Sequence, residues 1–549
     1  MCFSGNIRQI GAVLLVSASV LSISTAQAQE ANSNTALTSS ALSAAASALS
    51  FELELLNNPD ILDWYAARDF EPIWNEAPAV LTLVSVLEDA ASNGLPVIRY
   101  NTEALLALWS AADGTPERDA MFEAAATSVF VQYAVDVSTG IIEPSSLSSL
   151  IDRDRPEADV AALLDGLVVN AVDPAYYASL EPQAPVYQAL KDEAVRLQAL
   201  IAQGETQPRV GPGSSLRPGQ TDERVLALRV RLDMQGFNNV AGDSPTYDPM
   251  LVDAVKAFQT QNNLDADGII GPKTLEAINA DPTQHLQQVL VNMERARWMN
   301  FDRGARHIWV NQASFMAYVI DNGAVTLDTR VVVGQVASKY QTVEFSDEME
   351  NMVLNPSWNV PESIASQEYL PDILRDPTLL ARENIEMQVR GSGRIVDPRL
   401  VDLSNYTVNN FPYVLRQRPG AGNALGRVKF LFPNRHNIYL HDTPSRSLFN
   451  RDTRAFSHGC VRVHRPLELA YTLLAPQSND PEGEFTRVLN TRVETQIDLN
   501  VHVPVHLVYN TVFLNDLGEL EYRIDIYNRD QLVFDALLGA GVTFPSVQG

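Results

Sequence analysis

Three kinds of hydrophobic periodicity follow one another along the chain. From about 49 to 203, in a stretch rich in Ala and Leu, apolar residues recur at helical spacing, as Leu83, Val86, Leu87 and Ala90 do at i, i+3, i+4 and i+7. That predicts a mostly helical domain. Between 221 and 280, Val225, Leu228 and Leu232 mark one short helix and Val252, Val255, Phe258 and Gln259 a second. Gly268-Ile269-Ile270-Gly271-Pro272 then turns into a third, with Pro272 suited to the first helical turn. Beyond a helical connector carrying Met293, Arg295 and Trp298, the pattern becomes strand-like. His307 to Ile320 reads as a strand, Asn322-Gly323 as a hairpin turn and Thr326 to Val333 as the returning strand. Val353-Leu354, Tyr439-Leu440, Val505 to Phe513 and Leu520 to Ile526 read as further strands. The polar insert from 361 to 425, with helical pieces such as Pro371 to Leu380, separates two of them and is expected to be a lid.

Composition sets the boundaries. Residues 1–28 hold one charge, Arg8, an apolar run from Ile10 to Leu21 and the A-x-A site Ala26-Gln27-Ala28, which together predict a cleavable export signal. Retention as an uncleaved anchor is the alternative. Residues 29–48 are a low-complexity tether and 204–220, rich in Pro and Gly, a linker. The remaining units are a helical domain at 49–203, the three-helix unit at 221–280, a mainly β domain at 300–512 and a C-terminal extension at 513–549 that completes one of its neighbours. The formal charge of −27 speaks against nucleic acid and anionic membrane surfaces as partners.

The chain has two cysteines, and Cys2 lies in the export signal. Cys460 is therefore left without a disulfide partner or a multi-cysteine metal site, and it sits in Ser457-His458-Gly459-Cys460-Val461-Arg462. A buried small hydrophobe is the ordinary use of a lone cysteine. Two polar residues and a glycine beside it point to reactivity instead. A thiol near neutral pH needs a base, and His441, in Tyr439-Leu440-His441-Asp442-Thr443-Pro444, and His458 are the two candidates. The histidines show no metal-binding spacing; His502 and His506 share a strand face without a third ligand and are expected at the surface. No metal or cofactor is implied.

The His441 segment, Ser457 to Arg462, Asn355-Pro356-Ser357-Trp358-Asn359-Val360-Pro361 and Asp525-Ile526-Tyr527-Asn528-Arg529-Asp530 resemble the L,D-transpeptidase family with the YkuD-type catalytic fold. Ala257-Phe258-Gln259 and Leu264 to Leu275 resemble a peptidoglycan-binding three-helix domain. Asp63 to Arg68 with Ile73-Trp74 is similar to the scaffold domain of large Gram-negative members. Arg462 departs from the Asn that often follows the motif. The resemblance implies a multidomain α+β protein of helical N-terminal scaffold, three-helix peptidoglycan-binding module and mainly β YkuD-type catalytic domain with a capping insert.

It also implies a chemistry. Cys460 is the nucleophile, His441 the base, the N–H groups of Gly459 and Cys460 the oxyanion donors, and Ser457 a hydrogen-bond partner that positions His441. A backbone carbonyl or the Asp442 side chain holds the second imidazole nitrogen. His458, Arg462, Tyr439 and Trp358 are expected to contact substrate. The implied substrates are peptidoglycan stem peptides, with a tetrapeptide as donor and a diaminopimelate amine as acceptor. Cell-wall synthesis partners on the scaffold, a cell-wall-associated periplasmic location and reactivity with carbapenems are implied likewise. Carboxypeptidase or hydrolase action, ligation of a lipoprotein to peptidoglycan, and non-catalytic wall binding stay open as alternatives.

Overall fold

The computed structural model describes residues 59–203, 208–237, 240–262 and 264–545. The expected export signal, Cys2, the tether and part of the linker lie outside the described residues. Among those described, no helix is long and apolar enough to cross a membrane.

Residues 59–203 are helical, and the helix Pro116–Thr139 runs through their centre with most of its side chains buried. Leu83, Leu87 and Ala90 are fully buried, as their spacing requires, and Val86 packs at the rim of the same core. Glu123 on the central helix is also buried. Its carboxylate accepts the N–H groups of Ile73 (2.6 Å) and Trp74 (3.1 Å) and the Tyr65 hydroxyl (2.7 Å), so the charge is satisfied rather than stranded.

The next unit has helices Arg224–Met234, Pro249–Gln261 and Pro272–Ile278 around a core of its own that includes Val225, Leu228, Val255, Phe258 and Ile278. Gly268, at φ +72°, makes the turn before the third helix. Gln259 closes that turn, donating to Asp267 and the Ile269 carbonyl, both at 3.0 Å, and accepting the Gly268 N–H at 2.8 Å. A connector helix, Pro282–Trp298, starts at an Asp281/Gln284 capping box. It packs between Pro185–Ala202 and the C-terminal helix Arg529–Gly539 in a core of Tyr187, Leu190, Leu290, Phe534 and Leu537. The C-terminal extension thus joins the N-terminal helices.

The β region contains β1 (Arg306–Asn311), β2 (Met316–Asp321), β3 (Ala324–Gly334), β4 (Phe345–Leu354), β5 (Trp358–Asn359), β6 (Ile385–Val389), β7 (Ile395–Val396) and β8 (Tyr413–Gln417). It continues with β9 (Val428–Leu431), β10 (Leu440–His441), β11 (Ala455–Ser457), β12 (Val461–Val463), β13 (Thr495–Val508), β14 (Val512–Leu514) and β15 (Leu520–Tyr522). One sheet runs β11-β3-β12-β10-β9-β4-β13-β1-β2, and β2 also pairs with β3, so the sheet closes on itself around a core that includes Val331, Met349, Phe430, Leu440, Val461 and Val505. Asn322 and Gly323 both take positive φ, 49° and 81°, as a two-residue turn between right-twisted strands demands. The expected strand from His307 to Ile320 is in fact two. Gln312 to Phe315 forms a turn, in which the Asn311 side chain accepts the Ala313 N–H at 3.3 Å and Phe315 sits at φ 56°.

The insert is a subdomain rather than a loop. Strands β5-β8-β6-β7 form a separate sheet, backed by Leu370–Arg375 and Leu379–Arg382, over a core that includes Val360, Ile373, Leu380, Met387 and Leu415. Its arginines serve this framework. Arg416 donates to Ser357 at 2.9 Å and Arg418 pairs with Glu386.

The helical domain also joins the closed sheet directly. Ile151 bridges Glu344 in parallel fashion, the Asp152 N–H donates to the Glu344 carbonyl at 2.8 Å, and the Asp152 carboxylate binds Arg435 and His436.

Candidate active site

Parallel pairing of β10 with β12 sets Leu440 beside Val461 and His441 beside Arg462. Leu440 and Val461 are fully buried in the core. Alternation along each strand then places Tyr439 and His441, with Cys460 and Arg462, on the opposite face. The Tyr439 and His441 rings lie 5.6 Å apart. The backbone N–H and hydroxyl of Tyr439 face the Cys460 sulfur and favour its thiolate form, and the thiol lies 3.6 Å from the Asn437 carbonyl.

His441 is buried, and its Nδ1 lies 2.6 Å from the carbonyl oxygen of Asp442. A carbonyl only accepts, so Nδ1 carries the proton and Nε2 keeps its lone pair. The backbone therefore holds the ring; the Asp442 carboxylate instead accepts the N–H groups of Arg427 (2.9 Å) and Thr443 (2.8 Å). Burial, reinforced by the Arg462 guanidinium, pushes the imidazole down to about 3. Burial pushes the half-buried Cys460 thiol up to about 11, opposed by the Tyr439 hydrogen bonds and by Arg462. Both groups are thus neutral near pH 7. Arg462 is itself lowered by burial, and its Nε is buried without a hydrogen-bond partner.

The Ser457–Cys460 loop departs from expectation at two positions. The Ser457 hydroxyl does not reach His441; it donates to the Cys460 carbonyl at 2.5 Å and accepts the Gly459 N–H at 3.2 Å. The Gly459 N–H is therefore engaged within the loop, while the Cys460 N–H makes no hydrogen bond among the described residues. Gly459 sits at φ +113°, which excludes side chains there. His458 points to the insert, 2.7 Å from the Glu368 carboxylate, with its ring edge-on to Tyr340 at 4.5 Å. Glu368 belongs to a π-helical turn, Ala365–Tyr369. Trp358 packs partly buried against the core of the insert, its ring 6.3 Å from Tyr369.

His506 is a correction of another kind. It is buried, its Nδ1 2.8 Å from the Ser346 hydroxyl and its ring 5.6 Å from His307, and burial lowers it to about 4. His502 is exposed.

Residues 305–494 match the family model described as the L,D-transpeptidase catalytic domain, and they contain Tyr439, His441, Cys460 and Arg462 together. The chain carries an L,D-transpeptidase catalytic domain. Residues 59–193 match the model of a scaffold domain and 221–278 that of a "putative peptidoglycan binding domain". The chain is 34% identical over 248 residues to a "Putative L,D-transpeptidase" of Haemophilus influenzae, an alignment covering 45% of this chain and 49% of that protein. The match thus spans about half the length of that relative. The chain is also similar to a crystal structure of an L,D-transpeptidase from Xylanimonas cellulosilytica (15% identity, 54% of this chain and 99% of that one, TM-score 0.16). A second is an L,D-transpeptidase from Stackebrandtia nassauensis (12% identity, 56% and 98%, TM-score 0.20).

Two residues around the Cys460 thiol, Thr342 and Asn437, escaped the sequence reading, and Tyr439 entered it only as a substrate contact. Tyr439 faces the sulfur itself, and its position two residues before His441, on the same side of the chain, was the available signal. Thr342, whose hydroxyl donates to the Gly459 carbonyl at 2.8 Å, and Asn437 carried none.

Proposed function

We propose that the domain is a cysteine acyltransferase that forms 3→3 cross-links between peptidoglycan stem peptides. The observation that carries this reading is a thiol sharing one strand face with a neutral imidazole whose Nδ1 is committed to a backbone carbonyl. His441 Nε2 takes the Cys460 proton as sulfur attacks the carbonyl of the diaminopimelate residue of a tetrapeptide stem. The tetrahedral intermediate collapses with loss of D-Ala, whose amine nitrogen receives the proton from His441. This leaves a thioester on Cys460. The side-chain amine of a second stem attacks the thioester, gives a proton to His441 and restores the thiol. Arg462, unpaired beside the sulfur, stabilises the developing thiolate, and Tyr439 does so by hydrogen bonding. The module at 221–278 would hold the domain on the wall, and export to the periplasm would bring it there.

Incubation with disaccharide tetrapeptide followed by mass spectrometry tests the reading. Dimers that have lost one D-Ala are the expected product. Tripeptide alone would make the protein a carboxypeptidase, and no thioester at Cys460 would overturn the nucleophile assignment.

A further inference from the structure

The peptide unit joining Gly459 to Cys460 is gripped at one end. Its carbonyl receives the Thr342 hydroxyl at 2.8 Å, and that hydroxyl in turn accepts the Gly334 N–H at 2.9 Å. Its N–H, that of Cys460, makes no hydrogen bond among the described residues. A peptide unit is planar and trans, so its C=O and N–H point in opposite directions, and fixing one fixes the other. We propose that Thr342 is a positioning residue for acyl transfer: by holding the Gly459 carbonyl it aims the Cys460 N–H at the oxygen that becomes the oxyanion. This rests on the acyl-transfer reading given above.

Thr342 is fully buried and is held in turn by the C-terminal segment. Arg529 packs against the stacked rings of Tyr509 and Tyr527, its guanidinium carbon 5.1 Å and 4.8 Å from their centres. It donates to the Thr342 carbonyl and the Glu344 carboxylate, both at 2.7 Å, and to the Gln341 side chain at 3.2 Å. The Tyr527 hydroxyl donates to the Gly334 carbonyl at 2.5 Å, so the second partner of the Thr342 hydroxyl is fixed from the same segment. Close approach makes the arrangement stiff. A Cβ at Gly334 would lie 2.0 Å from the Tyr340 carbonyl oxygen. The segment 335–344 also receives the catalytic loop at a second point, where the Gln335 N–H donates to the Ser457 carbonyl at 2.9 Å. With Gly459 free of a side chain, the Thr342 hydroxyl is the contact that selects the plane of the 459–460 peptide.

The test compares two reactions of the same thiol in the full chain. Acylation by a carbapenem builds up an oxyanion; alkylation by iodoacetamide does not. Thr342→Val keeps the shape and removes the hydroxyl, and it should slow acylation by about 100-fold, the scale of losing one such donor, with alkylation within about twofold of the parent. Thr342→Ser should recover most of the acylation rate. Arg529→Lys, which keeps the charge but loses the forked donors to Thr342 and Glu344, should lower the acylation-to-alkylation ratio in the same direction, and it stands in if the valine variant does not fold. Acylation at the parent rate in Thr342→Val, an equal fall in both reactions, or failure of serine to rescue would overturn the positioning role. A parent protein that alkylates at Cys460 but never acylates would overturn the acyl-transfer reading itself, and that outcome is visible before any variant is made.

Discussion

Because His441 is held well below its ordinary value, the pH dependence of acylation is a sharp check on the site. The perturbation is a shift from pH 8 to pH 5 with a carbapenem as acyl donor, followed as second-order acylation of the free enzyme. An imidazole with its usual pKa of ~6.5 would be about 3% neutral at pH 5, and a rate that needs the neutral base would fall about 30-fold. With the imidazole pushed down to about 3 by burial and by Arg462, it stays almost wholly neutral across this interval, so the rate at pH 5 should match that at pH 8 to within about twofold. The thiol, pushed up to about 11, adds no inflection in that window either. A His441-dependent inflection between pH 6 and 7 would refute the argument. So would a rate rising tenfold per pH unit through neutrality, which would mean that a preformed thiolate, rather than thiol and base together, is the reactant. The same burial has a sign in stability. The folded-state value lies below the unfolded one, so the stability that rests on a neutral His441 is present above ~6.5 and is lost as pH falls from there toward about 3.

Other outcomes follow from single contacts. Cys460→Ser, nearly isosteric, should abolish covalent adducts by mass spectrometry while changing the thermal midpoint by no more than the equivalent of ~1 kcal/mol. Asp530→Asn breaks the buried pair with Arg295 (2.5 Å) and should cost about 3–5 kcal/mol by leaving the guanidinium uncompensated; an unchanged unfolding midpoint would contradict that. Deleting 222–280, which has its own apolar core, should spare carbapenem acylation and weaken pull-down by intact sacculi; equal pull-down would remove the wall-binding role.

Much of this was legible in the chain because the relevant signals are local. Asn322-Gly323 dictates its turn, the i, i+4, i+7 spacing of Leu83, Leu87 and Ala90 dictates a buried helical stripe, and the motif around Cys460 lies within six residues. The parts that were not legible are those made by backbone atoms or by distant partners. A carbonyl at Asp442 holds His441, and every residue type has a carbonyl. Thr342 and Gly459 are far apart in sequence and neither announces the other. Glu368 reaches His458 from an insert whose short strands are hard to distinguish from loop, although the alternation of Tyr413, Leu415 and Gln417 toward its core was there to be read. The burial of His506 was also readable. It stands in a continuous apolar stretch, Val503 to Val508, the signature of a strand covered on both faces, where a histidine must be neutral and hydrogen-bonded.

The bond from Asp152 to Arg435 and His436 ties the helical domain to the segment that leads into the His441 strand. The carbonyl of Asn437, the next residue, lies 3.6 Å from the thiol, and Tyr439, two further on, faces the sulfur. Binding free energies at linked sites are reciprocal. A protein that docks on the helical domain and prefers one setting of Asp152 would change how readily Cys460 takes up an acyl group. To the same factor, loading the thiol would change how tightly that protein is held. The boundary between the helical domain and the sheet would then carry a signal in both directions.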